Sequence, residues 1–142
     1  MTPEYDIHLD DKFGKLSLID LAHEAAAHEP WFNQTLTTVN DSVVRLGVID
    51  GDFHWHKHDA TDEFFLVLDG VFEVSLREDG AERTVSLRAG DIFVVPKGTE
   101  HKPSSPGGAI LMFEPSGTVT TGDRHEGEIP GHVDRTTGHE LG

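Results

Sequence analysis

The sequence predicts an all-β domain, an antiparallel sandwich or barrel, with one short helix ahead of it. Three observations predict this. From about residue 31 the chain divides into short runs rich in Val, Ile, Thr and Phe, several with an apolar–polar alternation. These runs recur about every 8–12 residues, and Gly or Asn–Asp pairs separate them. Only one stretch, ahead of Pro30, repeats its apolar residues at helical spacing.

The elements follow in order. Residues 1–15 are polar and read as an arm. Ser17 to Glu29 reads as an amphipathic helix: Ser17 and Asp20 resemble a capping box, Leu18, Leu21, Ala22 and Ala25 form a stripe, and Pro30 ends it. Strands are expected at 35–39 and 43–49, joined by a turn at Asn40–Asp41. A hairpin turn is expected at Asp50–Gly51, followed by a strand from Phe53 to Lys57. Phe64–Leu68 closes at Asp69–Gly70 and Phe72–Arg77 at Asp79–Gly80. Thr84–Leu87, Ile92–Val95 and Ile110–Phe113 complete the set. From Pro115 the chain is rich in Gly, Thr and His and reads as an extended tail, so His125, His132 and His139 are expected in solvent.

With 142 residues the chain is expected to form one domain, residues 1–142, with the arm and helix at 1–30, the barrel core at about 31–114 and the tail at 115–142. There is no Cys, which excludes disulfides, thiolate nucleophiles and Cys-based metal clusters. A formal net charge of −15 opposes binding to phosphate backbones and anionic lipid, so neither nucleic acid nor membrane is an expected partner. No apolar run approaches a membrane span, and the expected location is cytoplasmic.

His54, His56 and His58 sit two apart, so in a strand they share one face, with Trp55 and Lys57 on the other. Unpartnered imidazoles inside a dry barrel would each cost about 1–3 kcal/mol, and a metal ion relieves that cost. Glu63 lies beyond a turn-like segment on the next strand. His101 comes from a distant segment, placed by Pro96 and Gly98. Asp62 is the competing carboxylate, but alternation lets only one of Asp62 and Glu63 face inward. Three imidazoles and a carboxylate suit a divalent transition metal, with Fe, Mn, Ni, Zn and Cu all admissible.

The runs His56-x-His58-x4-Glu63-x6-Gly70 and Gly90-x5-Pro96-x-Gly98-x2-His101 resemble the two signature motifs of the cupin superfamily. Gly51 lies one residue closer to His56 than that pattern asks, and Ser105 stands where the second motif ends in Asn. The resemblance covers roughly residues 43–114 and implies a double-stranded β-helix, the jelly-roll barrel. It also implies that His56, His58, Glu63 and His101 hold one metal ion. DEFFLVLDG, GDIFVVPKGTEHKP and FEPSGTVTTGD look like small single-domain bacterial cupins, some labelled by likeness to mannose-6-phosphate isomerase. The implied function is a metal-dependent enzyme on a small organic molecule, of oxygenase, isomerase or lyase type. The alternative is a non-catalytic binding or sensing cupin with a structural metal. His54 is the acid–base candidate, with Glu100 behind it. Arg45, Lys97 and Lys102 are the cations available to a phosphate at the pocket edge. A homodimer through the edge near residues 31–39 is expected by the same resemblance.

Overall fold

In the computed structural model, residues 6–8, 11–115 and 124–125 are described. The polar arm is therefore described only in part, and the expected tail, with His132 and His139, lies outside these residues apart from Arg124 and His125. The strands are β1 (Asp6–His8), β2 (Phe32–Val39), β3 (Ser42–Asp52), β4 (His56–Lys57), β5 (Glu63–Glu78), β6 (Ala81–Arg88), β7 (Ile92–Val95), β8 (Glu100–Pro115) and β9 (Arg124–His125), with one helix, α1 (Leu21–Ala26). Apart from the parallel pair β1–β2, the pairings are antiparallel. They close into a jelly-roll barrel in which β8 is the hub, bonded to β3, β4 and β5. Among the described residues no helix is long and apolar enough to cross a membrane.

Two long strands carry the architecture. β5 is one continuous element where the sequence reads as two. Its first part pairs with β7 (Leu66↔Ile92) and its second with β6 (Val71↔Arg88), and Asp69–Gly70 is a bend between them rather than a hairpin. The reason is local: Gly70 has φ +75, and pairing with β8 shifts register between Val67 and Asp69. Asp50–Gly51 is likewise corrected. It lies within β3 as an irregularity between Ile49 and Gly51, with Gly51 at φ +127, so the chain kinks without reversing. The expected strand Phe53–Lys57 shrinks to His56–Lys57. The Asn40–Asp41 and Asp79–Gly80 turns stand as expected. Asn40 (φ 52), Asp79 (φ 49) and Gly80 (φ 79) supply the left-handed backbone that tight hairpins need.

The helix is shorter than its sequence pattern. Asp20, not Ser17, is the N-cap; its carboxylate accepts the His23 N–H at 3.1 Å, and the helix closes before Pro30. Leu18 and Ala22 are exposed, so the apolar stripe reduces to Leu21 and Ala25. These two, with Phe13 and Ile19, cover a cluster of Phe32, Leu36, Leu46, Val48 and Ala109 on one face of the sheet. His28, beyond the end of α1, is half-buried and stacks on Phe32 at 3.6 Å.

The larger cluster, including Trp31, Phe65, Val67, Phe72, Val74, Leu76, Val95 and Ile110, fills the barrel. Each such side chain contributes about 1.5–3 kcal/mol relative to exposure. Along β5, Glu63, Phe65 and Val67 are buried and Phe64, Leu66 and Leu68 only half-buried. That alternation aims Glu63 inward with the core.

Candidate metal centre

Three segments bring the site together. His54, His56 and His58 are buried while Trp55 and Lys57 are partly exposed, as alternation requires. β4 pairs His56 directly with His101 on β8. The turn before β8 is held by the Thr99 N–H to the Pro96 carbonyl at 3.2 Å, with Gly98 at φ +82. The Gly98 N–H then donates to the His58 carbonyl at 2.7 Å, which ties the second motif's turn to the first motif. Asp62 is exposed and accepts the Lys97 N–H at 2.9 Å, so the carboxylate entering the barrel is that of Glu63.

All four expected ligands are buried, and one donor atom from each of His56, His58, Glu63 and His101 lies within 4.8 Å of the others. Glu63 Oε2 stands 2.7 Å from His101 Nε2, 3.1 Å from His58 Nε2 and 4.0 Å from His56 Nε2. The Nδ1 atoms of His56 and His101 each lie 2.9 Å from a backbone carbonyl, of His54 and Thr99 respectively. Since a carbonyl only accepts, each Nδ1 carries a hydrogen, which leaves each Nε2 to face the centre, where that of His101 either shares a proton with Glu63 or, once that proton is lost, offers a lone pair. Among the described residues the buried Nε2 of His56 has no hydrogen-bond partner. Lone pairs converging this closely repel unless a cation stands among them. Bonds of about 2.1 Å would place opposite donors roughly 4 Å apart, close to the observed spread. The donor set therefore fits a divalent transition metal.

The electrostatics agree. Burial, reinforced by the neighbouring His101, holds His56 well below the ordinary imidazole value, and so keeps it neutral. Burial alone would raise Glu63. The hydrogen bond and charge of His101, followed by those of His58, overturn that and hold the carboxyl well below its usual range. A neutral imidazole and an ionised carboxylate are the states in which these groups act as ligands.

His54 is buried, with its ring 5.0 Å from that of His56 and 4.6 Å from that of Phe53. It is neither in the four-residue cluster nor on the cavity wall. Glu100 faces away, bonded to Arg77 at 3.3 Å. Ser105 is buried: its hydroxyl donates to the Val71 carbonyl at 2.5 Å and accepts the Gly107 N–H at 3.0 Å, bracing β8 against β5.

A mostly apolar cavity opens beside the centre. His56 and Glu63 line it, as do Trp31, Phe53, Phe65, Phe72, Ile110 and Met112, with Asn33, Ser104 and Glu114 supplying further polar groups. Asn33 and Glu114 were not singled out from the sequence. Glu114 shares inward parity with Ile110 and Met112, and a charged residue there is the signal that marks it. Arg45 is fully buried, bonded to Asn33 Oδ1 and 3.7 Å from Glu114.

Burial pushes the Glu114 carboxyl up to about 7, although Arg45 opposes the shift. A raised folded value means this group stabilises the fold fully below the unfolded value of about 4.5, and that contribution is lost as pH rises through about 7. In metal-free protein, Glu114→Gln should therefore flatten the pH dependence of stability between these limits, by up to about 3 kcal/mol. Urea titrations of both proteins across that window measure it. Parallel curves would refute the assignment.

A jelly-roll barrel with three imidazoles and one carboxylate around a single buried point defines a β-barrel with a candidate metal site. Residues 42–119 match the cupin domain family Cupin_2, and the chain belongs to that family. It is 36% identical over 89 residues to the uncharacterized protein YdbB of Bacillus subtilis, covering 63% of this chain and 74% of that one. A cupin-2 domain protein of Shewanella frigidimarina shares the fold with a TM-score of 0.63 and 31% identity, over 69% of this chain and 94% of that one. The 3-hydroxyanthranilate 3,4-dioxygenase of Burkholderia cenocepacia is 38% identical over 73 residues. That match covers 48% of this chain and only 40% of the enzyme.

Proposed function

We propose that this cupin is a metal-dependent enzyme acting on a small organic molecule held in the barrel, with oxygenase chemistry favoured over isomerase or lyase chemistry. The observation that carries the reading is the convergence of His56, His58, Glu63 and His101, two of which also line an apolar cavity. The likeness to 3-hydroxyanthranilate 3,4-dioxygenases favours the oxygenase branch. Fe(II) held by these residues would supply dioxygen activation. The chain's own part is to exclude water with Trp31, Phe65 and Phe72, to orient the substrate, and to keep His56 neutral. We retain His54 as the acid–base candidate, placed against His56 rather than on the wall.

The test is oxygen uptake by protein loaded with Fe(II) under anaerobic conditions and then mixed with 3-hydroxyanthranilate and other ring compounds bearing hydroxyl groups. Iron-dependent uptake is expected, with His54→Gln changing its pH profile. A fully loaded protein that consumes no oxygen with any of them would turn the reading to a non-catalytic binding module. A sugar-phosphate substrate has less support. Among the cavity-lining residues there is no Lys or Arg. Arg45 lies behind the wall and Lys97 is exposed.

A homodimer and a cytoplasmic location complete the proposal. Part of the β2 edge is taken by β1, which pairs with Phe32 to Gln34. The better contact surface is the row of Val94, Phe64 and Phe113 with Ile92 across β7, β5 and β8, three of these residues being exposed. Light scattering at the mass of a single chain would exclude the dimer.

A further inference from the structure

We propose that Glu114, held by Arg45, is the recognition carboxyl of the cavity, and that it takes the hydrogen of a hydroxyl or amine on an otherwise apolar, ring-sized molecule. The inference deepens the preceding reading and rests on it for the opposite end of that molecule. It starts from register. Phe64 pairs with Phe113, which sets Glu63 and Glu114 side by side on adjacent strands, both buried and both lining the cavity. One carboxylate belongs to the four-residue centre. The other is directed to the same space and has no part in that cluster.

The surroundings select the ligand chemistry. Arg45 stands 3.7 Å from Glu114 and also bonds Asn33, so its charge is engaged behind the wall. The described lining residues include no Lys or Arg, and an anionic group placed near Glu114 would meet Glu63 and Glu114 with no cation among those residues to offset them. A donor hydrogen instead finds a carboxylate acceptor in a low-dielectric setting, where a charge-assisted bond is about twice as strong as a neutral one. The aromatic walls, Trp31, Phe65 and Phe72, suit a flat apolar body. A buried Arg–Glu pair serving only as core filling contributes little over apolar residues of the same volume. Recognition gives this pair a use that filling does not.

The probes are phenol and toluene, similar rings that differ in a donor hydrogen, titrated calorimetrically at pH 8.5, where Glu114 is ionised. Wild-type protein should bind phenol about tenfold more tightly than toluene, both metal-loaded and after chelator treatment. Glu114→Gln should cut that ratio about fivefold, and the paired change Arg45→Met with Glu114→Met should bring it to about one. Both variants should keep wild-type metal content. A ratio unchanged in either variant, or one that disappears when the metal is removed, would overturn the proposal. Failure of the metal reading is separately visible as wild-type protein that binds no metal, since the chelator-treated comparison is independent of it.

Discussion

Replacing His101 by Ala should lower metal affinity at least about 100-fold while leaving the barrel folded. Loss of a group that merely orients a ligand already costs 10–100-fold, so about 100-fold is a floor for losing a ligand itself. His101 Nε2 makes the shortest contact with Glu63, 2.7 Å, and its Nδ1 is set by the Thr99 carbonyl at 2.9 Å. Without the ring, only two imidazoles and one carboxylate remain to hold an ion, and Glu63 loses the group that most strongly lowers its pKa. The fold itself rests on the apolar cluster of Phe65, Val67, Phe72 and Val74, which the substitution does not touch. The cost in stability should stay at about 1–3 kcal/mol, that of unmet buried polar groups. Elemental analysis with circular dichroism on one preparation measures both. Full metal content in a folded His101→Ala protein would remove His101 from the ligand set.

Gly70→Ala should be the most damaging small substitution, at about 3 kcal/mol or more. A Cβ on Gly70 would stand 2.1 Å from the Gly107 carbonyl oxygen and 2.8 Å from the Gly108 Cα. Both neighbours are backbone in the central strand β8, so neither can swing aside, and φ +75 adds its own penalty. Gly80 provides the control: its φ is +79, but a Cβ there meets nothing within 4 Å. Gly80→Ala should cost only the conformational part, about 1–2 kcal/mol. Urea unfolding of the two variants side by side decides the point. Equal losses would mean that close approach between β5 and β8 does not constrain Gly70.

The same glycine shows what was legible in the sequence. Spacing identified Gly70 as a motif position but read it as the end of a strand. Turns and bulges both recruit Asp–Gly pairs for the same left-handed backbone, so composition does not separate a reversal from a bend. Asp50–Gly51 was misread for that reason. The convergence of the four clustered residues was legible because alternation and motif spacing act together: His56 and His58 share parity, and Glu63, unlike Asp62, shares parity with the core residues Phe65 and Val67. The helix start was not legible, because Ser17 and Asp20 are both good caps and only packing of Leu21 and Ala25 chooses between them. Glu114, and with it the partner of Arg45, was hidden for another reason. Their meaning depends on pairing across β3 and β8, between residues far apart in the chain.

The bond from Gly98 to the His58 carbonyl has a consequence for how the proposed centre would take up an ion. It ties the stretch that carries His58 to the turn that leads into His101 through main-chain atoms alone. A barrel with an apolar core of its own is expected to hold such donors near one another before an ion arrives, unlike small zinc domains whose collapse is driven by the metal. Which element would reside there is then expected to follow the supply in the surrounding fluid and the intrinsic preference of nitrogen and oxygen donors.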